Sequence, residues 1–185
     1  MRIDFQVCCN VHNRIRSLLH RMHHIAVFIL LTGCVLAKDQ PLYSFSPAVG
    51  SGGGSTYSIT GEGRITAVRV WELSRNYIYG FQFCYGFMWT PVVGFISGEP
   101  HEFELHDDEA IIQISGTYSH YIQSLVFTTN KGRSLHVGNP SGNSFNMYPE
   151  NRDAELHIIS GRVHGGISSI EAHWLVLQND SKTKQ

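Results

Sequence analysis

Two stretches of this chain repeat one another at a distance of 45 residues. The run Ile114-Ser115-Gly116 continues to Ile122 and Leu125, and the run Ile159-Ser160-Gly161 continues to Ile167 and Ile170. A fainter copy lies 44 residues before the first and aligns Val70, Ile78, Phe81 and Phe83 with Ile114, Ile122, Leu125 and Phe127. A repeat of fixed period is typical of one supersecondary unit built several times. Three units are too few for a long solenoid, so the repeat predicts a compact fold with pseudo-threefold symmetry.

Each copy is predicted to consist of β-strands. Apolar and polar residues alternate in short runs that are rich in β-branched and aromatic residues, a pattern typical of strands with one buried face. These runs span residues 65–69, 77–83, 103–105, 112–114, 125–127, 135–137, 156–158 and 170–174, with turn-forming residues between them. No stretch after residue 37 shows a convincing helical pattern. The sequence therefore predicts an all-β fold of about twelve strands, arranged as three four-stranded sheets that bury their inner faces against one another.

The first 37 residues are predicted to be a secretory signal peptide. Residues 1–21 carry four arginines and one acid, residues 25–36 are an apolar stretch, and Val35-Leu36-Ala37 suits a signal peptidase. The apolar stretch is short for a bilayer span, although a membrane anchor stays an alternative, and translation could equally start at Met22. We expect an extension at 38–44, one domain at 45–177 with no transmembrane segment, and a polar tail at 178–185. Asn179 in this tail begins a weak N-glycosylation sequon.

Composition argues against several functions. The chain has 14 basic and 15 acidic residues, and loss of the leader removes four arginines and one aspartate, which leaves 10 basic and 14 acidic residues. An acidic domain lacks the basic patch that nucleic acids require, and a broad heparin-binding surface is disfavoured for the same reason. Cys84 is the only cysteine after the leader, so the domain has no internal disulfide. We expect Cys84 to be a small buried side chain in a strand at 81–85 rather than a reactive thiol.

A glycine cluster, Gly50-Ser51-Gly52-Gly53-Gly54-Ser55, lies near the start of the predicted domain. A flexible linker is one interpretation of such a cluster. The other is a loop whose backbone amides approach a ligand closely, because glycine carries no side chain to prevent it. The cluster alone leaves both interpretations open.

The motifs taken together resemble the jacalin-related lectins. The glycine cluster is followed, in the order of that family, by Gly63-Arg64-Ile65-Thr66-Ala67-Val68-Arg69-Val70, Ile114-Ser115-Gly116-Thr117-Tyr118, Asn130-Lys131-Gly132-Arg133, Ser141-Gly142-Asn143-Ser144-Phe145-Asn146, Ile159-Ser160-Gly161-Arg162 and His173-Trp174. The resemblance runs from about Phe45 to Val176 and is strongest for the animal zymogen granule branch of pancreatic and intestinal secretory lectins. It implies a β-prism I fold of three Greek-key sheets, which agrees with the repeat, and a sugar site at one end of the prism.

Three loops are implied by the resemblance to form the sugar site. The glycine loop maps to Gly53, Gly54 and Ser55, a recognition loop to Thr117, Tyr118, Ser119 and His120, and a binding loop to His164, Gly165, Gly166, Ile167 and Ser168. In such a site, backbone N–H groups and one carboxylate hold neighbouring sugar hydroxyls while an aromatic ring packs on the sugar. Tyr118 is the expected aromatic contact.

The binding loop departs from the Gly-x-x-x-Asp motif of the family. His164 stands in place of the glycine and Ser168 in place of the aspartate. A hydrogen bond to a charged group contributes roughly 1.5–3 kcal/mol, so loss of the carboxylate is expected to weaken sugar binding by about ten- to a hundredfold. Ser55, Thr117 and Ser119 replace lysines of pancreatic relatives, which argues against sulfated glycosaminoglycans as ligands.

Two functions of different classes stay open. The first is a lectin, secreted or in the granule lumen, that binds mannose-type glycans or cell-wall polysaccharide and associates with granules or membranes only through glycans. The second is a secreted protein-interaction or signalling protein on the same fold with weakened or lost sugar binding. The sequence shows no nucleophile–base pair and no close carboxylate pair that would indicate an enzyme. Seven histidines follow the leader without metal-ligand spacing (His101, His106, His120, His136, His157, His164 and His173), so we expect no metal and no cofactor.

Overall fold

A computed structural model describes residues 42–73 and 76–177. These two ranges contain thirteen β-strands and no helix, which confirms the all-β prediction. The strands are β1 (Tyr43–Gly50), β2 (Ser55–Ile59), β3 (Ile65–Leu73), β4 (Tyr77–Tyr85), β5 (Met88–Trp89), β6 (Val93–Gly94), β7 (His101–Glu104), β8 (Ile111–Tyr118), β9 (Ile122–Thr129), β10 (Ser134–Gly138), β11 (Asn143–Met147), β12 (Glu155–Val163) and β13 (Ile167–Leu175). The predicted leader, Asn179 and the predicted tail lie outside the described residues. Within the described ranges, no helix exists that could cross a membrane.

Three antiparallel sheets are each built around one long hairpin. The orders are β1-β13-β12-β2, β10-β9-β8-β11 and β5-β4-β3-β7, and β6 also pairs with β4. The hairpins β12–β13, β8–β9 and β3–β4 form the centre of these sheets, so the repeat in the sequence is a repeat of hairpins. Two sheets have the predicted four strands. The third has five, because the chain after β4 returns along that strand in two short pieces.

The inner faces of the three sheets form one hydrophobic core. Its largest fully buried side chains include Trp174, Phe81, Phe83 and Phe127, and Phe83 meets Phe127 of the neighbouring sheet edge-on at 5.9 Å between ring centroids. Burying a side chain of this size stabilises the fold by roughly 1.5–3 kcal/mol. Cys84 is also buried, as predicted, at 6% exposure.

The hydrogen-bond register corrects one alignment within the repeat. Ile114 lies opposite Phe127 in the second sheet, and Val68 lies opposite Phe83 in the third. Val68, rather than the predicted Val70, is therefore the equivalent of Ile114. The reason is a longer hairpin end: ten residues, 71–80, separate the paired Val70 and Phe81, whereas eight residues, 117–124, separate the equivalent pair in β8–β9.

A buried carboxylate braces the end of the second sheet that lies away from the β8–β9 turn. Glu109 is 2% exposed and accepts hydrogen bonds from the Thr129 hydroxyl (2.6 Å), the Arg133 guanidinium (2.6 Å) and the His106 backbone N–H (2.8 Å). Burial raises the pKa of a carboxyl group, but these hydrogen bonds and the charge of Arg133 outweigh it and lower the pKa of Glu109 to about 2. Glu109 is therefore an ionised structural anchor at neutral pH.

Candidate functional site

Three loops meet at the end of the prism where the long hairpins turn. They are the glycine loop (residues 50–55), the recognition loop (117–121) and the binding loop (163–168). Ser51 joins all three, because its backbone N–H donates to the Ser168 carbonyl at 2.9 Å and its hydroxyl donates to the His120 carbonyl at 2.6 Å. The structure thus brings together the three segments that the sequence predicted as one site.

The backbone of the glycine loop packs directly against the binding loop. A Cβ atom on Gly54 would lie 2.1 Å from the Val163 carbonyl oxygen, and Gly54 has a φ of +94°, which disfavours any other residue. The Arg162 guanidinium donates to the Gly54 carbonyl at 3.0 Å. Gly53 and Ser55 are exposed beside it. The cluster is therefore a packed loop between β1 and β2, and the linker interpretation is wrong.

Two predicted contact residues of the binding loop lie below the surface. Ile167 is fully buried in the core, and Ser168 is 1% exposed. The Ser168 hydroxyl donates to the Gly53 carbonyl at 2.5 Å, so it holds the glycine loop down. These positions correct the prediction for both side chains, because neither reaches the surface of the site.

The exposed part of the binding loop is His164 and Gly165. The His164 backbone N–H donates to the Gly166 carbonyl at 2.9 Å, which closes the turn, and Gly165 has a φ of +67°. The His164 side chain is exposed, whereas Gly166 is buried. Of the five residues predicted in this loop, His164 and Gly165 therefore have surface that a ligand could contact.

Some side chains of the recognition loop stabilise the fold, and others are exposed to solvent. The Thr117 hydroxyl lies 2.9 Å from the Ser124 hydroxyl and accepts from the Ser141 N–H at 3.0 Å, so Thr117 ties neighbouring strands together. The Tyr118 ring is half-buried and packs on Phe145 and the core. His120 and Ser119 are exposed, although the Ser119 hydroxyl accepts from the Gln123 amide at 3.0 Å. Among these predicted residues, His120 offers the most accessible side chain.

Two tyrosines that the sequence did not single out complete the site. Tyr77 and Tyr121 stack with ring centroids 4.4 Å apart. The Tyr77 hydroxyl donates to the Gly165 carbonyl at 3.3 Å, and a Cβ atom on Gly166 would lie 2.5 Å from the Tyr77 ring. The repeat carried a signal for them, since Tyr77, Tyr121 and Gly166 each precede an isoleucine of the core by one residue. The glycine of the third copy leaves room for the Tyr77 ring.

The ionisable side chains of the three loops are two histidines and two tyrosines. No Asp, Glu, Lys or Arg occurs within residues 50–55, 117–121 or 163–168, and the flanking Arg162 is engaged by the Gly54 carbonyl. Burial raises the pKa of the Tyr77 phenol, and Tyr121 and Tyr79 raise it further, so this hydroxyl is protonated at neutral pH. No group of three metal-ligating side chains occurs in the part of the chain that the structure describes. The site can therefore bind a ligand through hydrogen bonds from backbone groups, hydroxyls and imidazoles, next to aromatic rings.

Comparison with known proteins agrees with this architecture. The profile of the jacalin-like lectin domain matches residues 46–173. Zymogen granule membrane protein 16 from Homo sapiens is 43% identical over 157 residues, and the protein of that name from Rattus norvegicus is 38% identical; each alignment covers 81% of this chain and 93% of the relative.

Solved structures show the same fold. The crystal structure of a prostate-specific WGA16 glycoprotein lectin is 30% identical, with a TM-score of 0.65 over 73% of this chain and 100% of that chain. The artocarpin–mannotriose complex, 22% identical with a TM-score of 0.62, covers 72% of this chain and 98% of that chain and is similar in fold. By domain profile, relatives and fold, the chain belongs to the jacalin-like lectin family.

Proposed function

We propose that this chain is a secreted lectin that binds neutral glycans through the three-loop end of the prism. The observation that carries the proposal is the convergence of the glycine, recognition and binding loops, which Ser51 joins by its backbone N–H and its hydroxyl. Sugar hydroxyls need fixed donors and acceptors beside an apolar surface for the ring. Exposed backbone of the glycine loop, the side chains of His120 and His164, and the Tyr77–Tyr121 pair supply these elements.

The charge of the site favours neutral glycans over sulfated ones. The three loops contain no lysine or arginine, and the guanidinium of Arg162, which flanks them, uses one of its N–H donors on the Gly54 carbonyl. A sulfate group is recognised by arginine or lysine side chains. Mannose-type glycans or cell-wall polysaccharides, in mucus, the granule matrix or microbial walls, fit this neutral surface better.

Relatives support the ligand class and the location. Artocarpin is solved with mannotriose and Calsepa lectin with a bisected glycan, although both are less than 25% identical to this chain. Two relatives, 38% and 43% identical to this chain, are named for the zymogen granule. Together with the signal-peptide pattern at residues 1–37, these names favour secretion, with association to granules or membranes through glycans alone.

A second candidate is a secreted protein-interaction module whose sugar binding is weak or lost. One observation favours it: Ser168 takes the place of the family's aspartate and is buried beneath Gly53. No carboxylate in the three loops could then accept hydrogen bonds from two sugar hydroxyls, which is the stronger kind of contact.

A glycan array separates the two candidates. We expect residues 38–185 to bind neutral glycans at about pH 5.5 and about pH 7.4, the range over which an imidazole changes charge. Tyr121→Ala should lose most of the signal because it removes one ring of the site. Tyr148→Ala is the matched control, since Tyr148 is 66% exposed and follows β11 at the end away from Tyr118. An array without signal at both pH values would contradict the lectin proposal and favour the interaction module.

A further inference from the structure

Ring side chains continue from the candidate site along the third sheet. Tyr77, which stacks on Tyr121, meets Tyr79 edge-on at 6.3 Å, and Tyr79 in turn stacks on Phe95 at 5.0 Å with an interplanar angle of 26°. Tyr77 and Tyr79 are half-buried, whereas Phe95 is 45% exposed and Ile96 is 64% exposed. We call Tyr77, Tyr79 and Phe95 the aromatic strip.

The backbone fixes the outer end of the aromatic strip against β4. The Phe95 N–H donates to the Tyr79 carbonyl at 3.0 Å. A Cβ atom on Gly80 would lie 2.4 Å from the Phe95 carbonyl oxygen, and one on Gly94 would lie 2.3 Å from the Tyr79 carbonyl oxygen. Two facing glycines therefore let the loop rest directly on the strand. The Phe95 ring is held in place before any ligand arrives, which lowers the entropy lost on binding.

We infer that the aromatic strip holds further sugar units of a linear glycan whose terminal unit occupies the three-loop site. The inference rests on the proposed function and extends it from a single sugar to a chain. Its first support is continuity, because Tyr77 belongs both to the site, through its bond to the Gly165 carbonyl, and to the strip.

The chemistry of the aromatic strip gives the second support. Its three side chains carry no charge, and their hydrophobic surface is open at Phe95. Ligand sites combine such apolar and aromatic walls with a few polar groups, and the tyrosine hydroxyls supply the polar groups here. The C–H face of a pyranose ring is an apolar surface that can cover an aromatic ring, whereas the hydroxyls at its edge stay in water.

The inference predicts that affinity rises with glycan length and that Phe95 is responsible for the rise. The probes are linear manno-oligosaccharides and linear N-acetylglucosamine oligomers of one to about six units, titrated into residues 38–185 by calorimetry. We expect the wild-type protein to gain about tenfold in affinity between one and about four units in at least one series. Phe95→Ala should bind the monosaccharide normally and lose most of that gain.

Phe87→Ala is the matched control for a lost apolar side chain. Phe87 is 99% exposed and follows β4 at the end of that strand away from Tyr77, so the variant should keep the full gain with length. Monosaccharide binding with no gain on lengthening, or a gain that Phe95→Ala retains, would overturn the inference while the proposed function stands. Absence of binding at every length would contradict the proposed function and the inference with it. A wild-type dimer that Phe95→Ala dissociates would assign the aromatic strip to a second copy of the chain instead.

Discussion

Tyr77 and Tyr121 stack at an interplanar angle of 20°, with 4.4 Å between their ring centroids, where the long hairpins of two sheets turn. Gly166 holds the same place in the third hairpin and lies beneath the Tyr77 ring. At the ends of the three equivalent hairpins, two therefore carry a tyrosine ring and the third carries a glycine. The three sheets have nearly threefold symmetry, but the hairpin ends do not. Because of this asymmetry, the aromatic rings lie on one side of the glycine and binding loops.

The bond between Tyr77 and Gly165 gives the first prediction. Tyr77→Phe keeps the stack on Tyr121 but removes the hydroxyl that donates to the Gly165 carbonyl. Because this bond is exposed, unfolding free energy should change by less than about 1 kcal/mol. Glycan affinity should fall by about three- to tenfold as the binding loop loosens, measured by calorimetry. Tyr148→Phe is the control, and an unchanged affinity in Tyr77→Phe would show that the bond does not position the loop.

Two neighbouring glycines give a paired prediction. Gly54→Ala places a Cβ atom against the Val163 carbonyl at a φ of +94°, so stability should fall by about 2–4 kcal/mol. At Gly53 a Cβ atom meets nothing within 4 Å, and Gly53→Ala should change stability by no more than about 0.5 kcal/mol. Chemical denaturation measures both. Equal effects of the two substitutions would contradict the packed glycine loop.

The Ser168 hydroxyl is predicted to stabilise the glycine loop by its hydrogen bond to the Gly53 carbonyl. Ser168→Ala removes its hydrogen bond to the Gly53 carbonyl and should cost about 0.5–1.5 kcal/mol of unfolding free energy. Amide hydrogen exchange should speed up at residues 51–54 and stay unchanged elsewhere. Ser144→Ala, at an exposed serine of β11, is the comparison. Unaltered exchange at 51–54 would mean that Gly54 and Ser51 hold the loop without the Ser168 hydroxyl.

Glu109 sets a pH dependence of stability. Its pKa is lowered from 4.5 to about 2 on folding, so its ionised form contributes stability above pH 4.5, which is lost as the pH falls from there toward 2. A shift of this size corresponds to a contribution of about 3 kcal/mol. Glu109→Gln should be less stable at pH 7 and show a flatter loss of stability in acid, whereas the exposed Glu62→Gln should follow the wild type. Parallel acid curves for Glu109→Gln and the wild type would refute this role.

The fold could be predicted because the spacing of apolar residues within each strand indicates which side chains are buried. Ile122 and Ile167 begin the second strand of their hairpins, and Ile78 is the second residue of the equivalent strand β4. All three are fully buried, and their spacing shows in the sequence. Alternation of apolar residues reports burial residue by residue. The sequence predicted the edge strands β1, β2 and β11 only through the count of about twelve strands. In β1 the alternation is inverted, because Tyr43 and Phe45 are exposed whereas Ser44 and Ser46 are buried.

The details of the site could not be predicted because they depend on contacts between copies. The register of β8 against β9 shifts between Thr117 and Tyr118, and such bulges redirect side chains. Tyr118 shares the inner face of β8 with Ile114 and packs on the core, whereas Tyr121, not named as a contact, meets Tyr77 from a different hairpin. Likewise, the burial of Ser168 results from Gly53, which is 115 residues away in sequence.

Backbone amide shifts on glycan titration test the central claim most directly, because the proposed site is built largely from backbone groups. In ¹H–¹⁵N correlation spectra of residues 38–185 titrated with mannotriose and with a linear N-acetylglucosamine trimer, at least one glycan should shift amides of residues 51–55, 119–121 and 164–166 together. Shifts confined to other surfaces, such as the Gly86–Phe87 turn, or no shifts with either glycan would contradict a sugar site at the three-loop end.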